Sequence, residues 1–256
     1  MSGAAAILLD HWRAGTRIAA IPEALRPATR AEGYAVAAEL AVLTGDRVAG
    51  WKIAATSVAG QRHINVDGPL AGRIFASKLL PPGAAVSLAG NAMRVAEAEF
   101  AFRFGQDLPP RAAPYTEDEC AAAVSALHLS IEIPDSRFVD FTKVGAAQLI
   151  ADTACANWLV LGPEVRAEWR GLDLAAHKAA GFRNGQQVVE GTGKAVLGGP
   201  LIALHWFVNE AAHFCGGVTA GQFVTTGTCI VPIAISPGDT VMADYGALGT
   251  ISARMA

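Results

Sequence analysis

Two glutamates one residue apart, Glu97 and Glu99, sit in the run Arg94-Val95-Ala96-Glu97-Ala98-Glu99-Phe100-Ala101-Phe102. The run reads as a strand over 95–104, and on a strand residues i and i+2 share a face. Both carboxylates then project side by side, and two adjacent anions repel unless something positive lies between them. A divalent cation is the economical answer, and an all-oxygen donor set suits Mg²⁺, Mn²⁺ or Ca²⁺ rather than a thiolate-bound metal. The alternative is a charged strand face turned to solvent. A second stretch, His128-Leu129-Ser130-Ile131-Glu132-Ile133, alternates apolar and polar residues. Glu132 is either a third carboxylate of the same metal site or a surface acid on a half-exposed sheet. A third stretch, Gly50-Trp51-Lys52-Ile53-Ala54, places one lysine inside an apolar strand. Burial depresses a lysine's pKa and makes it a base, an acid or an electrostatic clamp. Snorkelling from a sheet edge is the alternative.

These groups need a scaffold. The first 45 or so residues read as helical: Ile7, Leu8 and Trp12 have helical spacing up to Gly15, and a second helix spans 30–43 with Thr29 as N-cap and Glu32 three residues on. From Val48 the texture changes to short apolar runs between Gly/Pro breaks. Strands are predicted at 48–54, 95–104, 127–133, 158–161, 222–226, 240–243 and 249–253. Further helices are predicted at 117–126, 145–152 and 201–215. Strands outnumber helices without regular βαβ alternation. The fold class is therefore α+β, with a helical N-terminal region (1–47) on a larger antiparallel or mixed β body (48–256).

Composition narrows the function. The 256 residues carry 20 Lys+Arg against 23 Asp+Glu, a net charge of −3, which argues against a nucleic-acid-binding surface. A hydrophobic fraction of 52% with 17% charged residues excludes a disordered chain. The four cysteines, Cys120, Cys155, Cys215 and Cys229, form no CxxC pair and read as reduced thiols of a cytoplasmic protein. The first residues lack the basic flank and the length of apolar run of a signal peptide, and no apolar stretch is long enough to span a membrane. Gly191-Thr192-Gly193-Lys194 is not a phosphate loop, because Val188 stands where that motif needs glycine. His205 and His213 around Glu210 do not form HExxH, and no GxSxG elbow is present.

Taken in order, Gly50-Trp51-Lys52-Ile53, Glu97-Ala98-Glu99, Glu132 and Ile150-Ala151-Asp152 leading to Val160-Leu161-Gly162 resemble the 2-keto-4-pentenoate hydratase / 4-oxalocrotonate decarboxylase group of the fumarylacetoacetate hydrolase superfamily. Val196-Leu197-Gly198-Gly199-Pro200, Ala220-Gly221-Gln222-Phe223-Val224-Thr225-Thr226-Gly227 and Pro237-Gly238-Asp239 extend the likeness to the C-terminus. The resemblance implies a mixed β-roll or β-sandwich with a small helical N-terminal part. It implies Mg²⁺ or Mn²⁺ held by Glu97, Glu99 and Glu132, with Lys52 as acid/base. It also implies a homo-oligomer and a short 2-oxo or 2-hydroxydienoic acid as substrate. Such an acid can be hydrated or decarboxylated through one enolate, so both outcomes stay open, as do acylpyruvate hydrolysis and a catalytically silent binding role. Asp67 and Asp152 are further catalytic candidates, and Arg73 and Thr226 are candidates for holding substrate carboxylate. The chain departs from the pattern at Leu70, where the group places a second acid after Asp67, and at Thr153, which replaces an asparagine. The missing acid puts simple hydration in question, with His63 or Asp67 as substitutes.

Overall fold

The structure, a computed structural model, describes residues 3–256. Helices α1 (Gly3–Ala14) and α2 (Arg30–Thr44) form the N-terminal layer. The expected cap of α2 is present: the Thr29 hydroxyl accepts from the Glu32 N–H, and the Glu32 carboxylate accepts from the Thr29 N–H. The chain continues through β1 (Val48–Ala54), α3 (Val58–His63), β2 (Leu70–Phe75), β3 (Leu79–Leu80), β4 (Ala85–Val86), β5 (Val95–Phe104), α4 (Glu117–Ala122), β6 (Val124–Ile133), α5 (Ala146–Ala151) and β7 (Trp158–Glu164). It ends with β8 (Lys178–Arg183), β9 (Gln186–Thr192), α6 (Pro200–Phe214), β10 (Phe223–Thr228), β11 (Ile233–Ala234), β12 (Thr240–Asp244) and β13 (Thr250–Met255).

The strands build two mixed sheets. One has the order β2-β1-β10-β5-β6-β7-β3, with β11 added beside β5; the other runs β4-β13-β12-β8-β9. In the larger sheet β1 pairs β10 in parallel, and β10-β5-β6-β7 are successively antiparallel. Register decides which side chains meet. Lys52 is opposite Gly72 and Thr225, and Glu97 is opposite Glu132, so all of these residues share one face. The other face carries Trp51, Phe100, Phe102, Leu129 and Ile131 into the main core, where Trp51 meets Phe207 of α6 at 5.6 Å between ring centroids.

Three local readings differ from the sequence expectation. The helix expected over 117–126 stops at Ala122, because Val124 already pairs with Phe104 and the Gly105 N–H donates to the Ala123 carbonyl. Ladder bonds to β5 override the helix propensity of the alanines. Strand β2 was not legible, because it is buried along its whole length and shows no alternation. The β8–β9 hairpin turns at Asn184-Gly185, both with positive φ, a strong hairpin signal that the flanking polar residues mask.

Behind the sheet, α5 ends in an unusual turn. Thr153, Ala154 and Cys155 all have left-handed φ values of 51°, 51° and 63°. Three such non-glycine residues in a row are costly and persist only when their surroundings hold them. The anchor is Asp152, fully buried. Its carboxylate accepts from the Ser136 hydroxyl and the Arg137 N–H, each at 2.9 Å, and from the Arg137 guanidinium. Gly72 on β2 lets the turn come close: a Cβ there would lie 1.9 Å from the Thr153 carbonyl oxygen. Gly72→Ala should therefore cost about 1–3 kcal/mol by overpacking. The measurement is the denaturant midpoint at unchanged m-value; a wild-type midpoint would show that β2 and this turn are not in contact.

Candidate metal centre and active-site cavity

Strands β5 and β6 bring the three acids together. Carboxylate oxygens of Glu97, Glu99 and Glu132 all lie within 4.8 Å of one another. Glu99 and Glu132 are fully buried, and Glu97 faces a cavity. Glu99 Oε2 accepts from the Gly227 N–H at 2.9 Å. Glu99 Oε1 and Glu132 Oε2 have no partner, and Glu132 Oε1 has only the Lys52 ammonium, an arrangement that buried carboxylates avoid unless something further and cationic completes them. Oxygen-only donors with unused lone pairs fit a hard divalent cation.

Lys52, also buried, approaches this cluster from β1. Its Nζ lies 3.1 Å from Glu132 Oε1 as an ion pair and donates to the Ala154 carbonyl at 3.2 Å. The strained turn after Asp152 thus has a function: it aims a carbonyl at the lysine. Burial by itself depresses the Lys52 pKa, but Glu132, Glu97 and Glu99 outweigh it and raise it. The sequence expectation of a depressed lysine is therefore reversed, and Lys52 stands as an ammonium. The carboxylates move the other way. Burial pushes Glu132 up to about 7, with Lys52 opposing and Glu97 adding to it. Burial, Glu132 and Glu97 together raise Glu99 well above the usual range.

Glu97 and Lys52 line a cavity of about 1050 Å³. Leu70 is on its wall and fully buried, two residues along β2 from Gly72 and so on the lysine's face. His63 of α3 is also on the wall, with its ring 6.0 Å from that of Phe141. Cys155 and Cys229 reach the cavity, and burial pushes the Cys155 thiol up to about 12, which keeps it protonated.

The other sequence candidates lie elsewhere. Asp67 is exposed on the turn before β2 and does not line the cavity. Arg73 points to the opposite sheet face, where its guanidinium stacks 4.8 Å from the Trp51 ring. Odd and even positions of a strand face opposite ways, so the residue after Gly72 cannot reach the lysine's side. Thr226 is buried and its hydroxyl donates to the Phe100 carbonyl at 3.3 Å; its neighbours Thr225 and Gly227 are the residues turned to the site. Asp152 is spent on Arg137 and acts on Lys52 only through the turn. Sequence reading missed Arg137 and the Ala154 carbonyl. Neither carries a signal, since Thr153-Ala154-Cys155 contains no residue type that favours left-handed backbone.

Residues 65–256 match the family described as fumarylacetoacetate (FAA) hydrolase C-terminal. The chain is 31% identical over 257 residues to 2-keto-4-pentenoate hydratase 1 of Dechloromonas aromatica (strain RCB), covering 99% of this chain and 96% of the relative. It is 33% identical over 211 residues to 2-hydroxyhexa-2,4-dienoate hydratase of Comamonas testosteroni, covering 82% and 78%. The solved 4-oxalocrotonate decarboxylase from Pseudomonas putida G7, complexed with magnesium and adipate, has a TM-score of 0.87 at 25% identity over 99% of this chain and 97% of that one. Since the family match spans most of the chain and the likeness to these enzymes runs nearly end to end, the protein belongs to the fumarylacetoacetate hydrolase family.

Proposed function

We propose that the protein is a divalent-metal-dependent lyase that acts on a short 2-oxo or 2-hydroxydienoic acid in the manner of a 2-keto-4-pentenoate hydratase. The observation that carries this reading is the cluster of Lys52, Glu97, Glu99 and Glu132, buried except for the cavity-facing Glu97, with unpartnered oxygens on Glu99 and Glu132. Those three glutamates would hold Mg²⁺ or Mn²⁺. Such an ion supplies Lewis-acid stabilisation of the enolate at C2 of a 2-oxo acid.

The chain's own groups do the rest. Lys52 holds a movable proton at Nζ, kept in place by Glu132 and the Ala154 carbonyl. Hydration of the dienoate delivers a proton to the far end of the conjugated system and adds water at C4, so the product gains one water. The acid that delivers it must come within hydrogen-bond reach of the carbon. Asp152 is a positioning residue in this scheme. The apolar wall keeps bulk water from the enolate.

A second reading, decarboxylation of an oxalocrotonate-type acid, is favoured by one observation. Leu70 stands on the cavity wall where a second acid would help to activate water, and Asp67 lies outside the cavity. Loss of CO₂ uses the same enolate and needs no activated water. Support for a cytoplasmic location is the set of four free cysteines. Among the described residues no helix is long and apolar enough to cross a membrane. A homo-oligomer is inferred from the family resemblance.

The discriminating experiment incubates the protein with 2-hydroxypenta-2,4-dienoate and with 2-hydroxymuconate, with Mg²⁺ and then with EDTA. Loss of conjugated ultraviolet absorbance is followed and products are identified by mass. EDTA-sensitive gain of water is expected; EDTA-sensitive loss of CO₂ assigns the decarboxylase instead, and EDTA-insensitive turnover overturns the metal role. Mg²⁺ at about 100 times its Kd should raise unfolding free energy by about 2.7 kcal/mol. Glu97→Gln/Glu99→Gln should abolish both that response and turnover, as read by thermal melts and the same assay. Proton competition gives a pH test. Glu132 is raised from 4.5 to about 7 in the folded chain, so it keeps its proton over a range where the unfolded chain has lost it. Metal-free stability should therefore fall as pH rises from 4.5 through about 7. Mg²⁺ affinity should rise over the same interval, because the ligand must lose that proton. Calorimetric titration at several pH values checks this, and a flat profile would remove Glu132 from the metal site.

A further inference from the structure

The cavity is larger than a pentadienoate requires, and most of its wall has a definite chemistry. Its volume of about 1050 Å³ is at the top of the range for pockets that enclose drug-sized ligands. Lys52 and Glu97 bring the carboxylate cluster to its wall. Much of the remaining wall is apolar and includes Ile64, Leu70, Met93, Phe141, Leu149 and Ile230. Leu70 and Leu149 are fully buried, and Ile64, Met93 and Phe141 are half-buried at the mouth. Among the described residues no arginine lines the cavity. The other ionisable wall groups besides the two thiols are His63, Glu190 and Lys194, all three exposed, and Glu190 adds a negative charge.

This environment selects among 2-oxo acids. A carboxylate at the remote end of the substrate would leave water for an apolar wall without a buried cation to receive it, which is costly. An alkyl or aryl substituent would leave water at a gain of about 0.8 kcal/mol per methylene. We propose that the preferred substrate is a monocarboxylic 2-oxo or 2-hydroxydienoic acid whose remote end carries an uncharged apolar substituent larger than that of the pentenoate, seated against Leu70, Ile64, Met93 and Phe141. The proposal rests on the lyase reading above, since the cluster defines which end of the acid is anchored. Leu70 is then a specificity-determining residue: it gives up an acid and lengthens the apolar wall.

The test uses non-reacting saturated acids as probes: pyruvate, 2-oxopentanoate, 2-oxooctanoate, 5-phenyl-2-oxopentanoate and the dicarboxylate 2-oxoadipate, each titrated calorimetrically with and without Mg²⁺. Binding should require Mg²⁺ throughout. Affinity should tighten roughly fourfold per added methylene, so that 2-oxooctanoate, three methylenes longer, binds about 60-fold tighter than 2-oxopentanoate at full burial, and 2-oxoadipate should bind more weakly than either. Ile64→Arg, at the half-exposed mouth, supplies the missing cation and should reverse the order in favour of 2-oxoadipate. Leu70→Asp should erase the chain-length gain; if it fails to fold, Ile64→Arg still decides. Mg²⁺-dependent binding with no gain along the series, or with 2-oxoadipate the tightest, overturns the apolar subsite and leaves the lyase reading standing. No Mg²⁺-dependent binding of any probe overturns both.

Discussion

Everything at the active end of this molecule answers to one electrostatic problem. Glu97 and Glu132 face each other directly across a pair of antiparallel strands, with Glu99 one step along, and two of the three acids are sealed from water. Like charges opposite one another destabilise a sheet, and burial multiplies the penalty. Two positive groups answer it. Lys52 arrives from a strand two places away in the sheet, and an oxygen-seeking cation is the natural second. The raised pKa values of Glu99 and Glu132 are the measure of what is still unbalanced when Lys52 acts alone.

The surrounding structure can be understood as support for that arrangement. Glycine at position 72 opens a gap beside Lys52, and the turn after α5 fills it with backbone rather than side chain. The buried pair of Asp152 and Arg137 fixes the turn, and the turn presents the Ala154 carbonyl to the ammonium. On the other side Gly227 donates its N–H to Glu99. The aromatic face of the same sheet, Trp51 and Phe100 among it, is packed and featureless in charge apart from Arg73. Polarity is thus divided between two sides of one sheet, and alternation along each strand is what divides it.

That alternation explains how much could be read in advance. Residues whose role depends on position within one strand were legible: Glu97 with Glu99, Glu132 on the polar side of its strand, and the isolated Lys52. The α2 cap at Thr29 was legible for a similar local reason. Residues whose role depends on a partner distant in the chain were not. Arg73 and Thr226 have suitable chemistry, but pairing turns one away from the cavity and ties the other to a carbonyl. Asp152 was singled out as a catalytic candidate, whereas the fold spends its carboxylate on Arg137; neither that partner nor the backbone turn has a signature in residue type. The sign of the lysine's pKa shift was missed for the same reason. It depends on how many carboxylates the fold gathers, not on burial alone.

The pairing order also has a kinetic meaning. The acids come from strands β5 and β6, neighbours in sequence that can pair as soon as both are made. Lys52 reaches them only when β10, near the end of the chain, takes its place between β1, to which it is parallel, and β5, to which it is antiparallel. Contacts of such long sequence separation form late. During biosynthesis the acidic hairpin therefore exists for a time without its internal counter-charge. In that interval its carboxylates are still open to water, which screens them until burial and Lys52 arrive together.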